Sequence, residues 1–588
     1  MIKTAGKILK LAAEEFLLDV EKPARYIGQE FNVIDKEVNT NTINFALCFP
    51  DVYEVGMSHL GIKILYNILN KQPDVYCQRC FAPWTDMEQI MRGHKIPLFS
   101  LETQSPLSTF DILGFSLQYE LSYTNVLNML ELADIPLYSK DRDVHPLVIA
   151  GGHCCYNPEP MAEFIDAFVI GEAEEVILEI VDAYRRFKSS QGRLEDNSME
   201  LIKAQRNKLL SELARIEGVY VPQLFFAAQK IKRRYIKDLD EAEVPVSLPV
   251  PFIEVIHDRI VLEIMRGCPN QCFFCQAGFA VNPVRIRSVD KLLHLAQKTY
   301  LNTGYDNISF CALSSANYPY LDELINRLHP FCKEKGLGIS LSSLRINTDF
   351  AKILSLIGDL KKSGLTFAPE AGSERLRRLI NKNIDMAKLK QAIASAYRSG
   401  WRRIKLYFMI GLPTETEADL AGIIDLIEEI AGLKKTIDGK RANISVSISN
   451  FIPKPHTPFQ WLGMEKKDNI LLKQRFLKTR LMKKGWDVDF HDSAMNFIEA
   501  YLSRGDRNIH KVILRAFKAG ARFDAWSNMF NFELWQQILK ENTEHVHEHV
   551  YRQRNLNSKL PWGHIDCGID KSVLYNSVEL YDLKKAAA

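Results

Sequence analysis

Residues 261–279 read VLEIMRGCPNQCFFCQAGF. An apolar, strand-like run is followed at once by three thiols, Cys268, Cys272 and Cys275, in a CxxxCxxC spacing. A cubane iron–sulfur cluster takes four cysteine thiolates as its usual complement. Three closely spaced ones with no fourth nearby leave one iron open to a ligand that is not protein. Structural zinc also asks for four ligands, commonly as two CxxC-like pairs far apart in sequence, and no second pair follows. The triplet is read as an iron–sulfur site, with zinc or three buried thiols as the plainer readings.

Working outward, residues 251–460 alternate strand-like and helical runs. VLEIMRG, NISFCAL, GISLSSL, GLTFAPE, RRIKLYFMIG and NISVSISNF are the strands, with helical patterns such as SVDKLLHLAQKTYLN between them. Six such repeats are too few for an eight-fold barrel and suit an open, partial (β/α)6 TIM barrel. Functional residues of such barrels gather at the C-terminal ends of the strands. Those ends carry, in order, the three cysteines; Ser314, Ser315 and Asn317; Ser342, Ser343 and Arg345; Glu370, Gly372 and Ser373; Gly411 and Thr414; and the run FIPKPHTPFQW. Glu370 can accept hydrogen bonds from hydroxyls or an ammonium, and Arg345 can pair bidentately with a carboxylate. Each has a plainer reading as a member of a surface ion pair.

Residues 41–190 carry a second α/β rhythm. NFALCFP, DILGFSL, PLVIAGG and DAFVIGE are strand-like, each followed by a helical pattern, as in an open Rossmann-like parallel sheet covered on both faces. Ligands of such sheets sit beyond the carboxyl ends of the strands, where Gly151, Gly152, Gly171 and Glu172 fall. Residues 1–40 read as a helical lead-in, the start being amphipathic. Residues 191–250 read as a linker with small helical and hairpin elements, GVYVPQLFF pairing with KIKRRYI. Residues 461–588 lose the strand signal and read as a mainly helical C-terminal region.

Composition sets outer bounds. The 588 residues are 46% hydrophobic and 25% charged, with a net charge of +3 that argues neither for nor against a nucleic-acid partner. Eleven cysteines are scattered without the framework of a secreted domain, which points to a reducing compartment. No run reaches the 18 or so apolar residues needed to span a bilayer, and the N-terminus, with Glu14, Glu15 and Asp19 in its apolar pattern, reads as an amphipathic helix and not as a signal peptide. The expectation is a cytoplasmic protein with no membrane partner.

At the strand ends the chain resembles the radical SAM superfamily. That resemblance implies a 4Fe-4S cluster on Cys268, Cys272 and Cys275, with Phe274 in the aromatic position before the last cysteine, and S-adenosylmethionine on the open iron. It implies further cofactor contacts from Ser314 and Ser315, which depart from the family's Gly-Gly-Glu motif, from Arg345, from Glu370 and Ser373 in APEAGSERL, and from Gly411 in MIGLPTET. The implied activity is reductive cleavage of S-adenosylmethionine to a 5'-deoxyadenosyl radical that abstracts hydrogen. The reductant is a flavodoxin- or ferredoxin-type protein.

The N-terminal unit resembles the cobalamin-binding fold found ahead of many radical SAM cores, through its βα rhythm, AGGHCC and VIGEAEEVILEI. The DxHxxG motif is missing; the nearest histidine, His59, has Asp51 eight positions earlier. Many radical SAM cobalamin proteins bind without that histidine, so cobalamin stays open. VEKPARYIGQEFN, PDVYEVGMSHLG, PKPHTPFQW and LPWGHIDCGI extend the resemblance from about residue 20 to 575, to a branch whose reaction the motifs do not define. Three functions stand side by side: a radical SAM enzyme acting on an undefined substrate, RNA or another macromolecule among the candidates; a cobalamin-dependent radical methylase of a small molecule; and a non-enzymatic iron–sulfur or zinc protein. KIKRRYIK (230–237) is too short a basic run to decide for RNA.

Lesser candidates complete the reading. Cys77 and Cys80 form a CxxC that is redox-active, metal-binding or simply packed. Cys154 and Cys155, adjacent, are read as packing. His545 and His549 lie four apart on a helix, as a metal pair or a solvated face. Tyr501, Arg504, Asp506, Arg507, Asp524 and Trp526 line a substrate opening or make contacts between domains.

Overall fold

The computed structural model describes residues 15–191, 198–225, 229–341, 360 and 364–586. The first sheet holds β1 (Ile43–Phe49), β2 (Val75–Phe81), β3 (Ile112–Ser116), β4 (Leu147–Gly151), β5 (Ala167–Val169) and β6 (Val219–Tyr220), in the order β2-β1-β3-β4-β5-β6. All neighbours run parallel except β5 and β6. Every residue of β1 is buried, as a strand covered on both faces requires. Phe45, Leu47 and Ile149 pack on one side under helices Leu60–Asn70 and Val176–Gln191. Ala46, Cys48 and Val148 pack on the other, under helix Tyr123–Leu132. Strand order reverses between β1 and β3, the switch point at which such sheets open a crevice for a ligand.

The second unit is the expected partial barrel. β8 (Ile260–Glu263), β11 (Asn307–Cys311) and β12 (Gly338–Leu341) form one parallel sheet, and β13 (Leu365–Glu370), β14 (Arg403–Ile410), β15 (Asn443–Asn450) and β16 (Asp487–Phe490) another. Ile260, Leu262, Ile308, Phe310, Ile404 and Leu406 share one core with the surrounding helices. Their strand neighbours Val261, Glu263, Ser309, Cys311, Lys405 and Tyr407 therefore face the other way, since successive side chains alternate. Between β8 and β11 lies an antiparallel ribbon of β9 (Met265–Arg266) and β10 (Arg285–Ile286), with the cysteines in its loop.

Three expectations are corrected. GVYVPQLFF and KIKRRYI do not pair: the first supplies β6, and the second forms β7 (Ile231–Lys232), parallel to β17 (Ile565–Asp566). Residues 461–588 are not strandless, because β16 and β17 lie there; β16 is an edge strand with aspartates at alternate positions, a pattern that blunts edges. The expected helix of the first residues lies outside the described residues; Glu15 is helical, and short turns follow at Leu17–Asp19 and Pro23–Arg25. The C-terminal region is no separate layer either. Ile498, Ile513 and Trp535 share a core with Phe115 and Val148 of the first sheet.

Candidate active site

The cysteine loop is tied down along its length. Gly267 has φ +83°, and a Cβ there would lie 2.7 Å from the Pro283 carbonyl oxygen, so only glycine fits the approach. The Cys268 N–H donates to Asn282 Oδ1 at 3.1 Å, and the Asn270 side-chain amide donates to Cys268 Sγ at 3.3 Å and to Asn317 Oδ1 at 3.0 Å. Further on, the Phe273 N–H donates to the Ile380 carbonyl at 3.1 Å and the Cys275 N–H to the Cys272 carbonyl at 3.0 Å. Cys275 opens helix Gln276–Ala280. Cys268 and Cys272 are buried and Cys275 is half-buried. Among the described residues no three Cys, His, Asp or Glu side chains converge on a single ion. The donor set fits a cluster, in which each thiolate takes a different iron and amide donors to sulfur tune the potential.

The strand ends divide into two groups. Ser314 Oγ donates to Asn317 Oδ1 at 2.6 Å, and through Asn317 and Asn270 joins the cysteine loop; Ser315 is buried in the turn that follows. Glu370 belongs to the same group. Its register slips against β14 after Phe367, and its φ is +68°, a costly backbone for a residue with a Cβ. The carboxylate lies 3.2 Å from Lys382 Nζ, both side chains being about 15% exposed. Burial pushes the Glu370 carboxyl up from the usual range, with Lys382 opposing, and both charges act on Cys275, whose thiol burial also raises.

The second group holds the scaffold. Ser373 caps helix Glu374–Leu379 by accepting from the Leu376 N–H at 3.1 Å, and its hydroxyl donates to Asp419. Its hydroxyl thereby joins the fourth strand end to helix Glu417–Asp438. Arg375 also reaches Asp419 and donates to the Thr414 carbonyl at 2.9 Å, tying the fourth strand end to the fifth. Gly411 (φ +76°) donates its N–H to Glu415 at 2.8 Å. It lines a hollow of about 700 Å³ with Thr414, Phe459, Trp461 and Arg554, and none of the three cysteines is in that wall. Ser342, Ser343 and Arg345 lie outside the described residues.

A second cavity, of about 580 Å³, joins the two units. Phe45, Leu47, Gly114 and Gly151 of the first sheet form one wall, and Val261, Glu263, Arg266, Gly267 and Cys311 form the other. Its floor is apolar, and three histidines, His59, His153 and His257, line it. Burial, helped by His153 and Lys63, holds the His59 ring down at about 4; burial and then Lys454 lower His153. Both are neutral at pH 7, the state in which imidazole ligates a metal.

The remaining candidates are structural. Cys77 and Cys80 point to opposite faces of β2 and pack in different cores, so the CxxC cannot close on a metal. Cys154 and Cys155 are buried. His549 has Arg554 Nη2 3.4 Å from its Nδ1. In KIKRRYIK, Lys232 pairs with Glu217, Arg234 with Glu175 and Glu179, and Arg233 donates to the Cys567 carbonyl. Arg507 pairs with Glu159 at 2.9 Å, Trp526 donates to Asp51 at 2.9 Å, and Asp524 accepts from Trp535 and Thr124. These are contacts between domains. Asn270, Asn282, Arg266, Arg285 and Lys382 escaped the sequence reading, their partners being distant in the chain or the residues having no motif of their own.

Residues 61–222 match the family model described as radical SAM proteins, N-terminal, and residues 262–427 match that of the radical SAM superfamily. An uncharacterized protein of Methanocaldococcus jannaschii is 31% identical over 513 residues, covering 84% of this chain and 98% of that protein. The chain belongs to the radical SAM superfamily. As a radical SAM enzyme it is also similar, at 22% identity over 42% of its length and 62% of the relative's, to a tRNA-2-methylthio-N(6)-dimethylallyladenosine synthase of Thermodesulfovibrio yellowstonii. Among solved structures it is similar to TsrM of Kitasatospora setae, a radical SAM methyltransferase with cobalamin and a [4Fe-4S] cluster bound, at a TM-score of 0.51 and 12% identity over 71% of this chain and 77% of that one. That likeness is one of fold. No helix among the described residues is long and apolar enough to cross a membrane.

Proposed function

We propose that this radical SAM enzyme is cobalamin-dependent and transfers a methyl group. The observation that carries the reading is the 580 Å³ cavity shared by the carboxyl edge of the first sheet and the concave side of β8 and β11, with Gly267, the residue before Cys268, in its wall. A ligand held at the Rossmann switch point there borders the cluster loop. The residues fit a corrinoid: an apolar slot between sheet and helix for a flat group, and neutral imidazoles for a metal. TsrM, which has this fold, was solved with cobalamin bound.

When bound, the cluster and S-adenosylmethionine supply one-electron cleavage to a 5'-deoxyadenosyl radical, and cobalamin supplies a cobalt centre for methyl transfer. The chain's own residues prepare the place. Cys268, Cys272 and Cys275 would hold the cluster, and Asn270 donates to the Cys268 sulfur. Glu370, paired with Lys382 at 3.2 Å, would accept from the ribose hydroxyls or the ammonium of S-adenosylmethionine, and Ser314 is tied to the cysteine loop through Asn317 and Asn270. His59 and His153 line the cavity as uncharged rings, His59 Nδ1 accepting from the Ile62 N–H at 3.4 Å, and Phe45, Leu47 and Val261 are apolar parts of its wall. A flavodoxin- or ferredoxin-type reductant and a cytoplasmic setting accompany the reading. RNA has less support as the substrate, since the cations of Lys232, Arg233 and Arg234 are engaged within the chain.

Anaerobic reconstitution with iron, sulfide and hydroxocobalamin, followed by S-adenosylmethionine and dithionite, tests this. The expected outcome is 5'-deoxyadenosine from protein that carries a corrin absorbance. Deoxyadenosine formed at the same rate by protein that retains no corrinoid argues for a radical SAM enzyme without cobalamin.

A further inference from the structure

Glu172, just beyond β5, leaves the first unit and enters the second. Its backbone is fixed: Gly171 (φ +101°) lies against the Arg234 carbonyl, which also accepts the Glu172 N–H at 3.0 Å. One carboxylate oxygen accepts from Arg266 Nη1 at 3.0 Å, Arg285 Nη1 at 2.9 Å and the Ile236 N–H at 2.9 Å. The two arginines face each other across β9 and β10. Each leads to Cys268 by its own route. Arg266 is joined to it through the close-packed Gly267. Arg285 donates to the Pro283 carbonyl at 3.0 Å and the Val281 carbonyl at 3.1 Å, the two sides of the turn whose Asn282 accepts the Cys268 N–H. Glu174 and Glu263 hold the rest of the Arg266 guanidinium at 2.6 and 2.8 Å. Side-chain exposure is 12% for Glu172, 11% for Arg266 and 6% for Arg285, so the network works at low dielectric, where satisfied charge-assisted hydrogen bonds are stiff.

We propose that Glu172 is a positioning residue for the cluster loop: a carboxylate of the Rossmann unit that sets the place of Cys268 through Arg266 and Arg285. The proposal rests on the reading of Cys268 as a cluster ligand. Two guanidiniums side by side repel one another, and Glu172 is the group that bridges both. Because Glu172, Arg266 and Gly267 also wall the cavity, a ligand there touches the same carboxylate.

The test uses the full chain carrying Glu172→Gln, reconstituted anaerobically. The expected result is iron content close to wild type, S-adenosylmethionine cleavage slower by about 10- to 100-fold, as for other outer-shell partners, and an altered change in the reduced-cluster EPR spectrum when S-adenosylmethionine is added. Amide exchange should quicken across residues 264–283 and stay unchanged in the first sheet. Combining Glu172→Gln with Arg285→Met should slow cleavage by less than the product of the two single effects, since Glu172 acts in part through Arg285 and in part through Arg266. Arg266→Lys, which keeps the charge and loses the fork, gives the same readouts should Glu172→Gln not accumulate. Glu175→Gln removes a surface partner of Arg234 and stays at wild type. Unchanged EPR response and loop exchange in both variants, or faster exchange spread over the whole first sheet, overturns the proposal and leaves a clamp between domains. The ligand reading fails separately, if Cys268→Ala keeps its full iron.

Discussion

The ammonium of Lys382 lies 3.2 Å from the carboxylate of Glu370, both held under the loop that presents Cys275. Burial favours the neutral acid, and Lys382 opposes that shift in part. Replacing Glu370 with Gln removes the carboxylate that Lys382 meets and weakens the acceptor proposed for S-adenosylmethionine. Iron content is expected to hold while the KM for S-adenosylmethionine rises about 10- to 100-fold, the worth of a hydrogen bond to a charged group. The rate of 5'-deoxyadenosine formation against S-adenosylmethionine concentration checks it; an unchanged KM contradicts it.

Ala at Cys268, Cys272 or Cys275 is expected to abolish cleavage of S-adenosylmethionine and to lower bound iron and sulfide. Iron and sulfide assays with anaerobic turnover check this, and activity retained by two of the three variants rejects the ligand set.

Cys77 and Cys80 are expected to behave differently. Because they face opposite sides of β2, Cys77→Ala and Cys80→Ala should leave iron content and turnover unchanged and lower stability by about 1–2 kcal/mol each through lost core contacts. Urea unfolding beside an iron assay separates the two effects.

Acid should destabilise the fold through His456. Its ring is held at about 4, chiefly by burial, with the Tyr156 carbonyl opposing at 2.8 Å from Nε2, whereas an unfolded histidine titrates near 6.5. Between those values the unfolded chain binds a proton that the folded chain refuses, so stability falls as pH drops from about 6.5 to 4. From pH 7 to 5 this one group costs about 2 kcal/mol. Asp524, raised by burial to about 6, works in the opposite direction, so the informative quantity is the wild-type loss minus that of His456→Gln. A difference near zero contradicts the account.

Sequence carried the architecture because buried parallel strands are apolar runs, and both α/β units announce themselves that way. It left β2 out of the sheet, because VYCQRCF places Gln78 and Arg79 inside the protein; Arg79 is tolerated there because Glu30 at 2.8 Å and Glu102 at 2.6 Å neutralise it, partners that no local pattern reveals. It missed β16 for a similar reason, since an edge strand written with aspartates lacks an apolar run. At the site, CxxxCxxC and Glu370 were legible as local motifs. Ser373 was legible only as a polar residue at a strand end, and its bond to Asp419 spans 46 residues. The Glu172 contact with Arg266 spans 94 residues, a distance at which spacing carries no information.

The central claim is that the cavity between the units holds a corrinoid. A Cβ at Gly151 meets nothing nearer than Val169 Cβ at 3.8 Å, so Gly151→Trp can fill the cavity from β4 without straining the backbone. The decisive measurement is corrin absorbance retained after gel filtration, under anaerobic conditions, of the full chain incubated with hydroxocobalamin. The account predicts stoichiometric corrinoid on the wild type and none on Gly151→Trp. A wild type that retains none, or a Gly151→Trp chain that retains as much, contradicts it.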